Sequence, residues 1–198
     1  LKGLPFLYQG QEIGMENTVF SSIEDVDDIG TLDEYKVGLD AGLSPKEALE
    51  AAGHFSRDNG RTPMQWSAGE QAGFTTGKPW LAVNPNYTRI NVESQENDPD
   101  SVLNFYRKLT ALRKDSRYQE ALVYGTFVPY LEEEKNLIGY LRKTEAQTLL
   151  VLANFQKEGR MVKLPGETAK VLLNNLDSVK IENGIISMKP YQFVVLEV

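Results

Sequence analysis

The chain has no cysteine, and His54 is its single histidine in 198 residues. Disulfides and thiolate metal sites are therefore excluded, and one imidazole cannot build a histidine-based metal centre. Beside Phe55, His54 reads as a packed or exposed structural residue. Positive charge is in the minority: 21 Lys and Arg stand against 28 Asp and Glu, a formal net charge of −7. That balance argues against nucleic acid or an anionic membrane surface as a partner. No apolar run approaches the ~20 residues of a membrane-spanning helix. The start shows neither an initiator methionine nor a charged or apolar leader, so no signal peptide is read there. Absence of cysteine accords with a reducing compartment, and bacterial secreted proteins can also lack it; a cytoplasmic location is the expectation. Hydrophobic residues at 41% and charged residues at 25% fit an ordinary globular protein.

What the sequence does have is a dense polar segment, Arg57-Asp58-Asn59-Gly60-Arg61-Thr62-Pro63-Met64-Gln65-Trp66. It packs two guanidiniums, a carboxylate, two side-chain amides and an indole into one turn-rich stretch. Sugar hydroxyls call for rigid donors and acceptors, and Arg and Asp supply them; an aromatic plate suits the C–H face of the ring. A polar surface loop held by an internal Arg–Asp pair would look the same.

Elsewhere the patterning is mixed. Phe6–Tyr8 is short and apolar, closed by Gly10, and reads as a buried parallel strand. Thr31–Leu39 reads as a helix, and Ser44-Pro45-Lys46-Glu47 as a capping box with Pro at the first helical position, opening a helix to about Ala52. The acidic run Glu24–Asp28 lacks the pattern of an EF-hand loop and reads as a solvated face or as acids bracing nearby arginines. Residues 57–97 read as an ordered irregular loop anchored by burial of Trp66, Phe74, Trp80 and Tyr87, any of which could instead stack on sugar. Asp98-Pro99-Asp100 opens an amphipathic helix with Val102, Phe105, Tyr106, Leu109 and Leu112 on one face. After Ser116 come short alternating strands: Leu122–Tyr124, Phe127–Leu131, Leu137–Arg142, Thr148–Asn154, Arg160–Leu164, Lys170–Asn174, Ile185–Met188 and Gln192–Val198. Pro165-Gly166 and Asn183-Gly184 mark turns, and the spacing argues for an antiparallel β-sandwich.

The polar segment closely resembles RDN-x-RTPMQW of the α-glucosidase branch of glycoside hydrolase family 13, which includes oligo-1,6-glucosidases, trehalose-6-phosphate hydrolases and sucrose isomerases. Further matches stand in the expected order: Pro5-Phe6-Leu7-Tyr8-Gln9-Gly10-Gln11-Glu12-Ile13-Gly14-Met15, Ile23-Glu24-Asp25, Ala72-Gly73-Phe74-Thr75-Thr76-Gly77, Pro79-Trp80, Val83-Asn84-Pro85-Asn86-Tyr87 and Lys189-Pro190-Tyr191-Gln192. The likeness runs along essentially the whole chain. It implies an α/β plus all-β fold, the C-terminal end of a (β/α)8 barrel followed by an antiparallel β-sandwich. Residues 1–115 would hold the last barrel strand, inserted helices, a loop and the last barrel helix; residues 116–198 would be the sandwich. Leu1-Lys2-Gly3 would be the end of the seventh barrel helix.

The resemblance also implies a role for individual residues. The first arginine of the segment, Arg57, would hold the glucose of the −1 subsite. Asp58 and Arg61 would orient it or form an internal pair. Glu12, at the barrel rim, would touch or brace a sugar, or tie up backbone amides in its Gly-rich turn. A glutamate lining the aglycone side in α-1,6-active relatives is replaced here by Gly30. The three catalytic carboxylates would lie upstream of Leu1, so the chain by itself would hold no catalytic residue. The implied function is part of a retaining, exo-acting α-glucosidase acting on α-glucoside oligosaccharides, with no metal or cofactor, and with the missing N-terminal catalytic part as its partner. A non-catalytic carbohydrate-binding or packing module, or part of a transglycosylating sucrose-isomerase-like enzyme, are the alternatives.

Overall fold

The computed structural model describes residues 2–198. They form two compact units: Phe6–Asn104, and Phe105–Val198 together with the residues ahead of Phe6. The helix end expected at Leu1-Lys2-Gly3 lies partly outside the described residues. Lys2 and Gly3 are not helical, and Gly3 adopts a φ of 117°.

The first unit is built from turns and short helices. Phe6–Tyr8 is not a strand: it pairs with no sheet among the described residues, and Phe6 is 90% exposed. A parallel strand gets its hydrogen bonds and its burial from neighbours on both sides, and these residues have none. Next, Gly10 and Gly14, both left-handed, bracket the 3-10 turn Gln11–Ile13 and aim Ile13 inward against Met64 and Ile90. Helix α1 spans Ile29–Asp40, starting two residues earlier than its pattern suggests, and α2 spans Pro45–His54. The capping box at α2 is formed as expected: Ser44 Oγ accepts from the Glu47 amide at 3.3 Å, and the Glu47 carboxylate accepts from the Ser44 amide at 3.0 Å. The two helices meet through small residues, and a Cβ on Gly38 would lie 3.0 Å from that of Ala48.

The segment after residue 57 is irregular, with 3-10 turns and one short helix, α3 (Val92–Glu96), that its composition hides. Its buried anchors include amides, and of the four expected aromatics only Tyr87 is partly buried. Trp66, Phe74 and Trp80 are 50%, 49% and 67% exposed, whereas Gln65, Asn84 and Asn91 are buried. A chain without a regular ladder must satisfy its buried backbone groups some other way. Asn84 Nδ2 donates to the Glu16 carbonyl at 3.0 Å. Asn91 Oδ1 caps α3 by accepting from the Ser94 amide at 2.8 Å, and its Nδ2 donates to the Tyr87 carbonyl at 2.8 Å. Gln65 Nε2 donates to the Ile90 carbonyl and to Asn86 Oδ1.

Helix α4 runs Val102–Lys114. Its cap is Ser101, whose Oγ accepts from the Asn104 amide at 3.2 Å. Asp98, expected to cap it, instead holds the preceding turn by accepting from the Asp100 amide at 3.0 Å. Phe105, Leu109 and Leu112 of α4 pack on Val151, Leu173 and Val195, while Val102 stays exposed.

Next comes a π-helical turn, Glu120–Tyr124, where a strand was expected over Leu122–Tyr124. The Leu122 amide is already committed to the Tyr118 carbonyl and that of Gly125 to the Glu120 carbonyl, so neither can enter a ladder. Gly125 has to be glycine, since a Cβ there would sit 2.5 Å from the Ala121 carbonyl oxygen and 2.9 Å from that of Lys143.

Eight antiparallel strands follow: β1 (Thr126–Tyr130), β2 (Leu137–Lys143), β3 (Thr148–Asn154), β4 (Arg160–Lys163), β5 (Lys170–Asn174), β6 (Lys180–Glu182), β7 (Ile185–Met188) and β8 (Phe193–Glu197). They make a five-stranded sheet, β1-β2-β3-β8-β5, and a three-stranded sheet, β4-β7-β6. Leu141, Leu150, Leu152, Val194 and Leu196 from the larger sheet meet Val162, Ile186 and Met188 from the smaller one. This is a β-sandwich core. β3 and β8 are buried on both faces, by the smaller sheet on one side and α4 on the other. The Asn183-Gly184 pair, both at positive φ, makes the two-residue turn from β6 to β7. β6 itself, Lys-Ile-Glu, was not legible in the sequence.

Candidate functional site

The segment Arg57–Gly60 is one turn of 3-10 helix, opened by Ser56, whose Oγ accepts from the Asp58 amide at 3.2 Å. The turn points Asp58 into the interior and Arg57 outward. Asp58 is fully buried. Its Oδ2 accepts from the backbone amides of Asp27 and Asp28, at 2.8 and 2.9 Å, and its Oδ1 accepts from Arg61 Nη1 at 3.1 Å. Three donors, one of them charged, satisfy a carboxylate that would otherwise be costly to bury.

Held by that contact, Asp28 presents its own carboxylate to Arg57. Asp28 is 4% exposed. Its Oδ1 accepts from Arg57 Nε at 2.8 Å and also from Nη2. Its Oδ2 accepts from the Arg57 amide at 3.2 Å and from Thr31 Oγ1 at 3.0 Å. The Arg57 hydrogen bonds hold the Asp28 carboxyl well below the usual carboxylate range, against the opposing effect of burial. The same pairing raises the Arg57 guanidinium above its ordinary value. The Arg57 side chain nonetheless stays 66% exposed. It is a cation anchored along one edge and open along the other, a geometry suited to hydroxyl acceptors.

Four of the residues singled out in the sequence thus come together: Arg57, Asp58, Arg61 and Gly30. Gly30 lies in the first turn of α1, where a Cβ would stand 3.8 Å from Arg57 Nη2 and 3.8 Å from each Asp28 carboxylate oxygen. The member that sequence reasoning did not single out is Asp28. The acidic run was read as a possible brace for arginines, but nothing in the order of residues shows which acid meets which arginine across 29 positions.

Glu12 belongs to another element, the Gln11–Ile13 turn, and is not among the partners of Arg57, Asp28 or Asp58. Nor does it tie up that turn. Gln11 Oε1 accepts from the Tyr8 amide at 2.9 Å, and the amides of Gln11, Ile13, Gly14 and Met15 go to the carbonyls of Tyr8, Gly10 and Gln11. A cavity of about 170 Å³ lies between this turn and the polar segment, lined by Tyr8, Gln11, Glu16, Asn17, Asn59 and Thr62 among others. Arg57 does not line it.

Comparison with known proteins gives this arrangement a context. The alpha amylase catalytic domain matches residues 1–125, and the C-terminal domain of the alpha-amylase SusG matches residues 137–195. The chain belongs to the alpha-amylase family, glycoside hydrolase family 13. This family member is 43% identical to a probable oligo-1,6-glucosidase 2 of Bacillus subtilis, over 97% of this chain and 34% of that protein. It is 40% identical to the oligo-1,6-glucosidase of Parageobacillus thermoglucosidasius, over 100% and 36%. Among solved structures, the trehalose-6-phosphate hydrolase of Bacillus licheniformis superposes with a TM-score of 0.90 at 38% identity, over 100% of this chain and 36% of that one. An isomaltulose synthase of Erwinia rhapontici gives 0.84 at 37% identity, over 98% and 35%. The family member thus spans about a third of the length of the relatives it matches. Its fold is the end of the family's catalytic domain followed by the β-sandwich. No helix among the described residues is long and apolar enough to cross a membrane.

Proposed function

We propose that this chain is the C-terminal third of a retaining, exo-acting α-glucosidase that hydrolyses short α-glucoside oligosaccharides, and that Arg57 holds the glucose of the −1 subsite. The observation that carries this is the Arg57 guanidinium, fixed by Asp28 along one edge and exposed along the other. Support comes from the family and from relatives named as oligo-1,6-glucosidases and trehalose-6-phosphate hydrolases. Arg61 would flank Arg57 from the same turn, on its own buried base, Asp58.

In this reading residues 1–115 complete the catalytic barrel and residues 116–198 form the packing domain. The unpaired Phe6–Tyr8 segment would be the last barrel strand, completed by neighbours upstream. The carboxylate nucleophile and the acid/base would also lie upstream, so this chain alone would be inactive. The nucleophile would form a glucosyl-enzyme while the acid/base protonates the leaving oxygen, and water activated by the same acid/base would release glucose. Neither metal nor organic cofactor is required. A clamp on the terminal glucose accounts for exo action. The lack of cysteine accords with a cytoplasmic enzyme.

The test is a kinetic panel on the full-length enzyme and its Arg57→Ala variant with isomaltose, maltose and an aryl α-glucoside. Loss of a charged hydrogen-bonding partner costs ~1.5–3 kcal/mol, so kcat/KM should fall roughly tenfold to over a hundredfold on all three. A change confined to linkage preference, with aryl-glucoside turnover intact, would remove Arg57 from the −1 subsite. The likeness to isomaltulose synthase motivates a second reading, sucrose isomerisation; accumulation of isomeric disaccharides from sucrose, in place of glucose and fructose, would favour it.

A further inference from the structure

We infer that Asp28 is a positioning residue for sugar binding, which sets the direction of the Arg57 guanidinium and so the place of the bound glucose. The inference rests on Arg57 contacting substrate, as proposed above. An exposed arginine samples many rotamers, and a ligand that needs only one of them must freeze the rest. Here that ordering is done in advance. Asp28 Oδ1 takes the Nε and Nη2 edge of the guanidinium, and Oδ2 takes the Arg57 main-chain amide, so both ends of the side chain are pinned to one carboxylate.

The carboxylate itself is not free to turn. Thr31 Oγ1 donates to its Oδ2 at 3.0 Å, and the amide of Asp28 is held by Asp58 Oδ2 at 2.9 Å. Asp28 is almost fully buried, whereas Arg57 is mostly exposed. The pair therefore consists of a fixed anion inside and an aimed cation outside. The positive charge of Arg57 is balanced locally, as suits recognition of an uncharged ring. The open donors of the guanidinium are left for hydroxyl oxygens.

The experiment uses the full-length enzyme with an aryl α-glucoside. Asp28→Asn keeps the shape and loses the charge; kcat/KM should fall about tenfold while the melting temperature stays within a few degrees. In an Arg57→Ala background the same change should cost less than about twofold, because the residue it positions is gone. Added guanidinium ion should restore part of the activity of Arg57→Ala but not of Arg57→Ala/Asp28→Asn. Thr31→Val, which removes one of the two hydrogen bonds to Asp28 Oδ2 and leaves the ion pair, should lose about threefold in the native background and none beside Arg57→Ala. It serves alone if Asp28→Asn does not fold. If Arg57→Ala keeps native kcat/KM, the clamp fails and the positioning role fails with it. If Arg57→Ala is impaired but the Asp28 or Thr31 changes cost nothing, or cost the same in both backgrounds, the clamp stands and the positioning role is overturned.

Discussion

Asp28 and Asp58 share one small polar core, and their carboxylates divide its donors between them. Asp58 takes the backbone amide of Asp28 at 2.9 Å, and Asp28 takes the side chain and amide of Arg57. The deeper acid shapes the chain, and the shallower one aims a side chain. Both carry charge-assisted bonds, which rank among the stronger hydrogen bonds in proteins.

Asp58→Asn should therefore cost stability first. One of its two acceptor edges becomes an amide N–H₂, and that edge faces either Arg61 Nη1 or two backbone amides, all of them donors. A loss of about 3 kcal/mol is expected from a buried charged group deprived of its pairing. Urea unfolding of the full-length enzyme measures it. A change under 1 kcal/mol would mean that Asp58 is no keystone of the turn.

Gly30→Glu should act differently. The position has room, with the nearest atoms at 3.8 Å, and it lies in the first turn of α1, where an acid is favoured and glycine is a poor helix former. A gain of roughly 0.5–1 kcal/mol in stability is expected. The ratio of kcat/KM for isomaltose to that for maltose should rise, since the new carboxylate would restore an acceptor on the proposed aglycone side. Equal changes on both substrates would place residue 30 off that side.

Cutting the chain tests where the sandwich really begins. A piece starting at Ser116 lacks Phe105, Leu109 and Leu112, which cover Val151, Leu173 and Val195. A piece starting at Phe105 keeps them. Both should melt cooperatively if the domain folds alone, but the longer piece should be more stable by roughly 3 kcal/mol, the worth of a few partly buried apolar side chains. Equal melting temperatures would make α4 dispensable to the sandwich.

Acid should expose the Asp115–Arg117 pair. Asp115 Oδ1 accepts from Arg117 Nε at 3.0 Å and from its amide at 2.9 Å, and Oδ2 accepts from Nη2 at 2.6 Å. These bonds lower the Asp115 carboxyl from 3.8 to about 2. Its stabilising contribution is thus complete above about pH 4 and is lost as the pH falls toward 2. Thermal melts of native protein and Asp115→Asn should differ by a constant amount above pH 5 and converge toward pH 2. A difference that persists at pH 2 would assign the effect to something other than this ionisation.

The parts of the fold legible in the sequence are those coded locally. Ser44 and Glu47 announce α2, the Phe105–Leu109–Leu112 stripe announces α4, and Asn183-Gly184 announces its hairpin. The misreadings share a cause. Leu122-Val123-Tyr124 has strand-forming side chains, but the Leu122 amide is spent on the carbonyl four residues back and that of Gly125, just after the segment, on one five residues back. β6 offers one isoleucine between two charges and exists because β7 pairs with it. Phe6–Tyr8 has strand composition without strand partners. In the site, the Arg57 segment was conspicuous, whereas Asp28 looked like any acid in a charged run. Its significance lies in a contact across 29 positions, which local patterning does not encode.

That contact also makes a clasp. Residues 29–56, which include both α1 and α2, leave and re-enter the structure at one point, where Asp28 and Asp58 join their two ends. Asn59 reinforces the closure, its Nδ2 donating to the Gly53 carbonyl at 2.9 Å. Lengthening a closed loop adds little entropic cost, roughly 0.6 kcal/mol per doubling. The α1–α2 hairpin is therefore an exchangeable cartridge. Evolution or an engineer could lengthen it, shorten it or replace its distal end, altering what surrounds Arg57 while the socket stays the same.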